Sequence, residues 1–262
     1  MFTHNPFAAL ATAIPPVAMQ SYVALMFGLV LCGTLIDLAH KGSARYFFKH
    51  RRLANAAATR RVGAGETAAL AAQTLMVSVL AAGEFCSFWR RTTHLLTMYG
   101  FVLYVITTAI MVFAYPTAGA PGPALLPELW TLGAALVCVG GVWYWFLQRV
   151  DVVAEGHSRF RLMRADLFSL SLLSSAAFAL IWARVQASGN ARSAEVFLGL
   201  YLLCSTVLFA SVPWSKFAHM FYKPAAAFQK RIEDANGFRR NLPAPADRPA
   251  TFGSARRRPR SY

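Results

Sequence analysis

Long apolar stretches separated by short basic ones are the dominant pattern of this sequence. A helix needs about 20 residues, at about 1.5 Å of rise each, to cross the hydrocarbon core of a membrane. Five stretches have the length and apolarity for this, at residues 22–39, 94–115, 129–147, 167–185 and 196–212. The pattern therefore predicts an all-α membrane protein in which five transmembrane helices form a bundle.

A sixth stretch, residues 67–85, is apolar mainly because it is rich in alanine. Alanine contributes much less to membrane insertion than Leu, Ile or Phe. Glu66 and Glu84 stand at its two ends, and Arg90 and Arg91 follow shortly afterwards. We expect an interfacial helix near residues 67–85 and not a sixth span.

The basic residues lie almost entirely on one side of this five-span topology. Of the 26 Lys and Arg residues, 24 fall within residues 40–93, within 148–166 or from residue 214 onward, and only Arg184 and Arg192 fall on the opposite side. By the positive-inside rule, we expect an inner (cytoplasmic) membrane protein with its N-terminus outside and its C-terminus in the cytoplasm. A sixth span would separate the first basic cluster from the basic tail.

Composition agrees with a membrane protein. The 262 residues are 56% hydrophobic and 14% charged, which is too apolar for a soluble domain of this size. The net charge of +15 lies between and after the apolar stretches, where orientation in a lipid bilayer explains it better than nucleic acid does. The first 20 residues lack Lys and Arg, so we expect the first span to remain as an anchor and not to be a cleaved signal peptide.

Three parts follow from these patterns. They are an outer N-terminal segment at 1–21, a five-helix membrane domain at 22–232 and a basic tail at 233–262. The tail is rich in proline and arginine and is expected to be disordered. The four cysteines are scattered without a C-x-x-C motif, which argues against an iron–sulfur cluster, a structural zinc or a covalently attached haem within this chain.

Two histidines stand at the predicted inner ends of spans. His94 opens the second span and His219 closes the fifth, so the topology puts both imidazoles at one membrane depth. Two such imidazoles could ligate a haem iron axially, one from each face, with the metal bound by His94 and His219. A histidine at a helix end also often reaches to the membrane interface, and position alone leaves both interpretations open.

Two short motifs resemble the membrane cytochrome b family, which includes the gamma subunit of respiratory nitrate reductase. They are P-W-S-K-F-A-H-M-F-Y-K-P at residues 213–224 and R-R-T-T-H-L-L-T-M-Y-G-F at 90–101. The family also includes membrane subunits of quinone-interacting and sulfite reductase-linked complexes and of heterodisulfide reductase. The resemblance spans roughly residues 22–232 and implies a cytochrome-like domain with five helices, the N-terminus outside and the C-terminus inside.

In two-haem members of that family, the second span carries two histidines ten residues apart, and the fifth carries two that are eighteen apart. Here Tyr104 stands ten residues after His94, and Tyr201 stands eighteen before His219. Two neutral phenols cannot replace two imidazoles, because tyrosine ligates ferric haem only as a phenolate. The resemblance therefore implies one haem b, with the second site lost at these tyrosines and filled by side chains. Such a reduced ligand set is closest to the membrane subunit associated with adenylylsulfate reductase.

Other polar residues have two interpretations each. Lys216 and Arg91 are candidates for pairing with haem propionates, or they are interfacial anchors. Asp37 and His40, one turn apart near the inner end of the first span, suggest a quinone contact or a proton path, or else an ordinary helix end. His50 and His157 are expected to be solvated residues of basic loops.

The leading hypothesis is an electron-transfer subunit of a quinone-linked oxidoreductase complex and not a free-standing enzyme. It would pass electrons between quinone, as substrate, and a cytoplasmic flavin and iron–sulfur partner. The alternatives are a haem-free anchor that docks a soluble reductase, and the membrane subunit of another sulfur or nitrate respiratory complex. A small transporter is less supported, because charged residues at mid-membrane depth are scarce.

Overall fold

The computed structural model describes residues 4–85, 87–148, 166–215 and 219–238, together with 156, 158 and 161–163. Every regular element within these residues is a helix. In chain order the helices are α1 (Pro6–Leu10), α2 (Pro16–Lys41), α3 (Ser43–Ala56), α4 (Ala64–Gln73, continued by a π-helix at Thr74–Leu80), α5 (Phe88–Ala114), α6 (Leu125–Trp143, continued by a π-helix at Tyr144–Gln148), α7 (Asp166–Ala187), α8 (Ala191–Ala210) and α9 (His219–Asn236).

Five of these helices are long and apolar enough to cross a membrane, namely α2, α5, α6 with its π-helical end, α7 and α8. They coincide with the five predicted spans and confirm a multi-pass, all-α membrane protein. Helices α2 and α5 begin earlier than the apolar pattern does, because polar residues such as Arg90 and Arg91 can continue a helix beyond the hydrocarbon core.

The fifth span ends earlier than the motif suggested. Helix α8 ends at Ala210, where the Ser211 N–H donates to the Val207 carbonyl. His219 consequently begins a separate helix, α9, instead of closing the fifth span. Pro213 falls in the break between the two helices, and a proline there removes one donor that a continuous helix would need.

The alanine-rich stretch is helical, as predicted, from Ala64 to Leu80. The Thr67 hydroxyl donates to the Gly63 carbonyl at 2.9 Å in its first turn. It ends before Ala82, whose φ of 46° is unusual for a residue with a Cβ. This helix is shorter than the five spans, and its place at the membrane interface stays a prediction.

The described residues form two compact units. The first draws on Met1–Asp37 and Thr92–Ala218 and contains most of the five long helices. The second draws on Leu38–Arg91 and His219–Tyr262 and contains α3, α4 and α9.

Glycines bring α5 and α6 together in the first unit. A Cβ on Gly133 would lie 2.7 Å from the backbone nitrogen of Tyr104 and 2.9 Å from the Gly100 carbonyl oxygen. A Cβ on Gly140 would collide with the Thr97 side chain. Small residues allow this close approach, which is a common way for helices to associate in membranes. The crossing fixes Tyr104 on a backbone that has little room to shift.

Polar contacts hold the second unit together. The backbone N–H and the hydroxyl of Thr59 both donate to the Asn236 carbonyl at 3.0 Å. His50 Nε2 lies 3.2 Å from Glu233 Oε1. Gly237 follows α9 with a φ of 75°, a left-handed conformation that glycine adopts without strain. The end of α9 is thereby joined to α3 and to the turn after it.

Candidate functional site

His94 lies in the second turn of α5 and is half-buried. Its neighbour Thr93 is 3% exposed and accepts a hydrogen bond from Gln148 Nε2 at 2.9 Å. Gln148 ends the π-helical turn after α6, and such turns occur often at functional sites. The bond fixes the α5 backbone beside His94 to the end of the third span.

The other residues of the predicted inner haem site are only partly described. His219 starts α9, but its side chain and all of Lys216 lie outside the described residues, as does His157. Arg91 donates from Nε to the Ala81 carbonyl at 2.7 Å. Among the described side chains, no three His, Cys, Asp or Glu residues converge as a metal site, although a haem needs only two protein ligands.

The candidate quinone contacts on α2 differ in their surroundings. Asp37 is 2% exposed, whereas His40, one turn later, is exposed. His50 is not simply solvated: it is half-buried, pairs with Glu233 and meets the Phe238 ring edge-on at 5.8 Å between centroids. The pairing with the Glu233 carboxylate gives His50 a structural role, and its position requires no catalytic or ligand-binding role.

Tyr104 on α5 and Tyr201 on α8 face one cavity. Its cavity volume is about 50 Å³, within about 500 Å³ of space that includes open solvent, and it lies among α2, α5, α7 and α8. The two tyrosines are 5% and 4% exposed. Hydroxyl groups line the cavity on every one of these helices, from Tyr22, Tyr104, Thr108, Ser175, Tyr201 and Ser205.

Aromatic rings fill the space behind the two tyrosines. The Tyr104 and Trp130 ring centroids are 5.7 Å apart, and Tyr201 stacks on Trp182 at 5.8 Å with an interplanar angle of 16°. Phe7 of α1 contacts both tryptophans, at 5.8 and 5.3 Å. Both tryptophans are 1% exposed. These five rings form one cluster that joins α5 to α8 through the core of the first unit.

Most polar atoms around the cavity have partners. Trp130 Nε1 donates to the Thr108 hydroxyl at 2.9 Å, and that hydroxyl donates to the Tyr104 carbonyl at 2.7 Å. Ser175 and Ser205 hydrogen-bond to each other at 2.8 Å.

The hydroxyls of Tyr22 and Tyr104, which both line this cavity, differ in their hydrogen bonding. The Tyr22 hydroxyl lies 2.9 Å from the Leu202 carbonyl oxygen, to which it donates, and 3.1 Å from the Thr206 hydroxyl. The Tyr104 hydroxyl is buried and makes no hydrogen bond of normal distance and angle among the described residues, although the hydroxyls of Tyr201 and Ser175 lie near it.

Sequence reasoning identified Tyr104 and Tyr201 but missed the rest of this cavity. Ser175 and Ser205 lie in apolar spans, and polar residues inside such spans are a usable signal. Trp130 and Trp182 gave no comparable signal, since an aromatic residue in a span is ordinary. Their meeting depends on which helices are neighbours, and the sequence pattern does not contain that information.

No protein-family profile matches the sequence. Over 152 residues the chain is 30% identical to Citrate utilization protein B of Escherichia coli, a match that covers 56% of this chain and 39% of that protein. The chain thus spans less than half the length of this relative. No solved structure matches.

Proposed function

We propose that this protein is the membrane-anchoring electron-transfer subunit of a quinone-linked oxidoreductase and holds one b-type haem. The observation that carries the proposal is the joint position of Tyr104 and Tyr201. In the resembling two-haem proteins, these two sequence positions carry the histidines that bind the second haem. Here both tyrosines line one cavity. That arrangement supports the helix alignment on which the assignment of His94 and His219 depends.

Two imidazoles are the axial ligands proposed for the haem. His94 supplies a half-buried imidazole on a helix whose backbone is fixed by Gln148 and by the glycine crossing with α6. His219 would supply the second imidazole, and Lys216 and Arg91 would pair with the propionates. A b haem held by two imidazoles, when bound, accepts and returns single electrons.

The site at Tyr104 and Tyr201 does not suit a second haem. Its two candidate ligands are phenols, and the space behind them is packed with the rings of Trp130, Trp182 and Phe7. A porphyrin there would have to displace side chains that are almost fully buried. The proposal therefore contains one haem, and none at the positions of Tyr104 and Tyr201.

The soluble partner is proposed to dock on the basic side of the protein, which we expect from the charge pattern to face the cytoplasm. Arg45, Lys49, Arg51 and Arg52 of α3 are all exposed. Such a surface steers and orients an acidic partner. The partner class is a flavin and iron–sulfur oxidoreductase, and the resemblance favours adenylylsulfate reductase.

Electron transfer in isolated membranes tests this proposal. Membranes with the wild-type chain should let decylubiquinol and adenylylsulfate reductase of the same host exchange electrons, and His94→Ala membranes should not. If both membranes bind the reductase and neither supports transfer, the haem-free anchor is the correct account. A wild-type chain that neither binds the reductase nor supports transfer would exclude this partner.

The similarity to Citrate utilization protein B favours a second candidate function. On that basis the chain would be a membrane component that serves the use of citrate. Deletion of its gene in the native host, followed by growth on citrate or on a reduced sulfur compound, separates the two candidates. Loss of growth on citrate alone would favour the second.

A further inference from the structure

We propose that the cavity among α2, α5, α7 and α8 binds the head group of a quinone, and that the Tyr104 hydroxyl donates a hydrogen bond to a quinone carbonyl oxygen. The choice of quinone rests on the proposed function. The location of the binding site is independent of that function, because it is argued from the cavity itself. This location differs from the quinone contact expected at Asp37 and His40.

The first argument is the Tyr104 hydroxyl. It lines the cavity, is buried within a membrane-spanning helix, and makes no hydrogen bond of normal distance and angle in the described part of the chain. A buried polar group without a partner is costly, and more so where water is absent, so proteins rarely keep one without a use. A ligand oxygen in the cavity would supply the missing acceptor.

The second argument is that the hydroxyl is held in place. The Tyr104 carbonyl accepts from Thr108, its ring packs on Trp130, and its backbone nitrogen lies against Gly133. The donor is therefore positioned before any ligand arrives. Preorganised donors give a ligand more affinity than mobile ones, because less ordering accompanies binding.

The third argument concerns the charge of the ligand. Among the described residues, those that line the cavity include no Lys, Arg, His, Asp or Glu. A fatty-acid carboxylate or a phosphate would lack a cationic partner there, and burying an unpaired charge is strongly unfavourable. A neutral ring with carbonyl oxygens fits, because the lining combines hydroxyls with apolar side chains such as Met26, Phe101 and Leu208.

The fourth argument is access from the lipid. Phe27 belongs to the cavity lining and is 49% exposed on α2. In a membrane-spanning helix an exposed phenylalanine faces lipid tails, so the cavity opens toward the phase in which quinones dissolve. An isoprenoid tail can remain in the bilayer while the head group enters.

The test is binding of decylubiquinone to the purified detergent-solubilised protein, followed by quenching of tryptophan fluorescence. Trp130 and Trp182 lie against the two cavity tyrosines and are suitable reporters. The Tyr104→Phe substitution removes one oxygen atom and should weaken binding about three- to tenfold. The control is Tyr99→Phe on the same helix, which is absent from the cavity lining and should leave the affinity unchanged.

A second variant tests the location independently of the hydrogen bond. Ser205→Leu places a larger apolar side chain in the cavity and should abolish quenching, provided that thermal unfolding shows a folded protein. Equal affinity in the wild type and in Tyr104→Phe would overturn the proposed hydrogen bond. Unchanged quenching in a folded Ser205→Leu variant would overturn the site.

Haem content, measured on the same samples, separates this inference from the proposed function. His94→Ala should lose haem and still bind decylubiquinone. A wild-type protein with haem but without quinone binding would refute the cavity assignment alone. A protein that binds quinone but never contains haem would refute the haem assignment and leave the cavity intact.

Discussion

Tyr104 and Tyr201 come from two different membrane-spanning helices, face the same cavity, and each packs its ring against a buried tryptophan. Phe7 connects the two tryptophans, so that the tyrosines are the ends of one aromatic cluster. The positions that match the second pair of haem ligands in the resembling two-haem proteins are occupied here by tyrosines that pack on aromatic rings and line a hydroxyl-rich cavity.

The Tyr104→Phe substitution should stabilise the ligand-free protein. Removing a buried hydroxyl that makes no hydrogen bond of normal distance and angle among the described residues removes a desolvation cost of about 1 kcal/mol. In a protein of this size that is a rise in Tm of about 2–4 °C, measurable by thermal unfolding in detergent.

Tyr22→Phe is the matched comparison for that measurement. Its hydroxyl donates to the Leu202 carbonyl and lies within hydrogen-bonding distance of Thr206, so the same chemical change should lower the Tm by a similar amount. Opposite signs are the expected result. A Tm that falls equally in both variants would mean that the Tyr104 hydroxyl has a partner.

Gly133→Ala should destabilise the crossing of α5 and α6. The new Cβ would lie under 3 Å from backbone atoms of Tyr104 and Gly100, which cannot move without separating the helices. Overpacking of this kind costs about 1–3 kcal/mol. Denaturant or thermal unfolding measures the loss.

Gly199→Ala on α8 serves as the control for that variant. A Cβ there has no atom within 4 Å, so the change should be neutral or stabilising by up to about 1 kcal/mol through helix propensity. If the two alanine variants unfold alike, glycine packing does not hold α5 against α6.

The ion pair between Arg60 and Glu66 predicts a pH dependence in the second unit. Arg60 donates to both carboxylate oxygens of Glu66, at 2.9 and 2.5 Å, and this hydrogen bond holds the pKa of Glu66 below its ordinary value of 4.5. Because the folded pKa is the lower one, the pair's contribution is complete above pH 4.5 and is lost as the pH falls through the folded pKa.

Comparison of the wild type with Glu66→Gln over a pH series checks this. The wild type should be slightly more stable at neutral pH, and the difference should disappear in acid. The effect should be small and salt-sensitive, since both side chains are exposed. A difference that grows as the pH falls would contradict the assignment.

The five spans could be predicted from sequence because membrane insertion depends on length and apolarity, which are local properties. The separate helix that begins at His219 could not, since the break after Ala210 leaves only a weak signal in the sequence. Tyr104 and Tyr201 were found through spacing relative to His94 and His219. The cavity required knowledge of helix neighbours: Ser175 and Ser205 lie far apart in sequence and hydrogen-bond only because α7 packs on α8.

Haem content tests the central claim most directly. We would record a dithionite-reduced minus air-oxidised absorbance spectrum of the purified protein and quantify haem per chain by pyridine haemochrome. One b haem per chain, lost in His94→Ala and in His219→Ala but retained in Tyr104→Phe, is the predicted result. A colourless wild-type protein, two haems per chain, or haem that persists in both histidine variants would contradict the account.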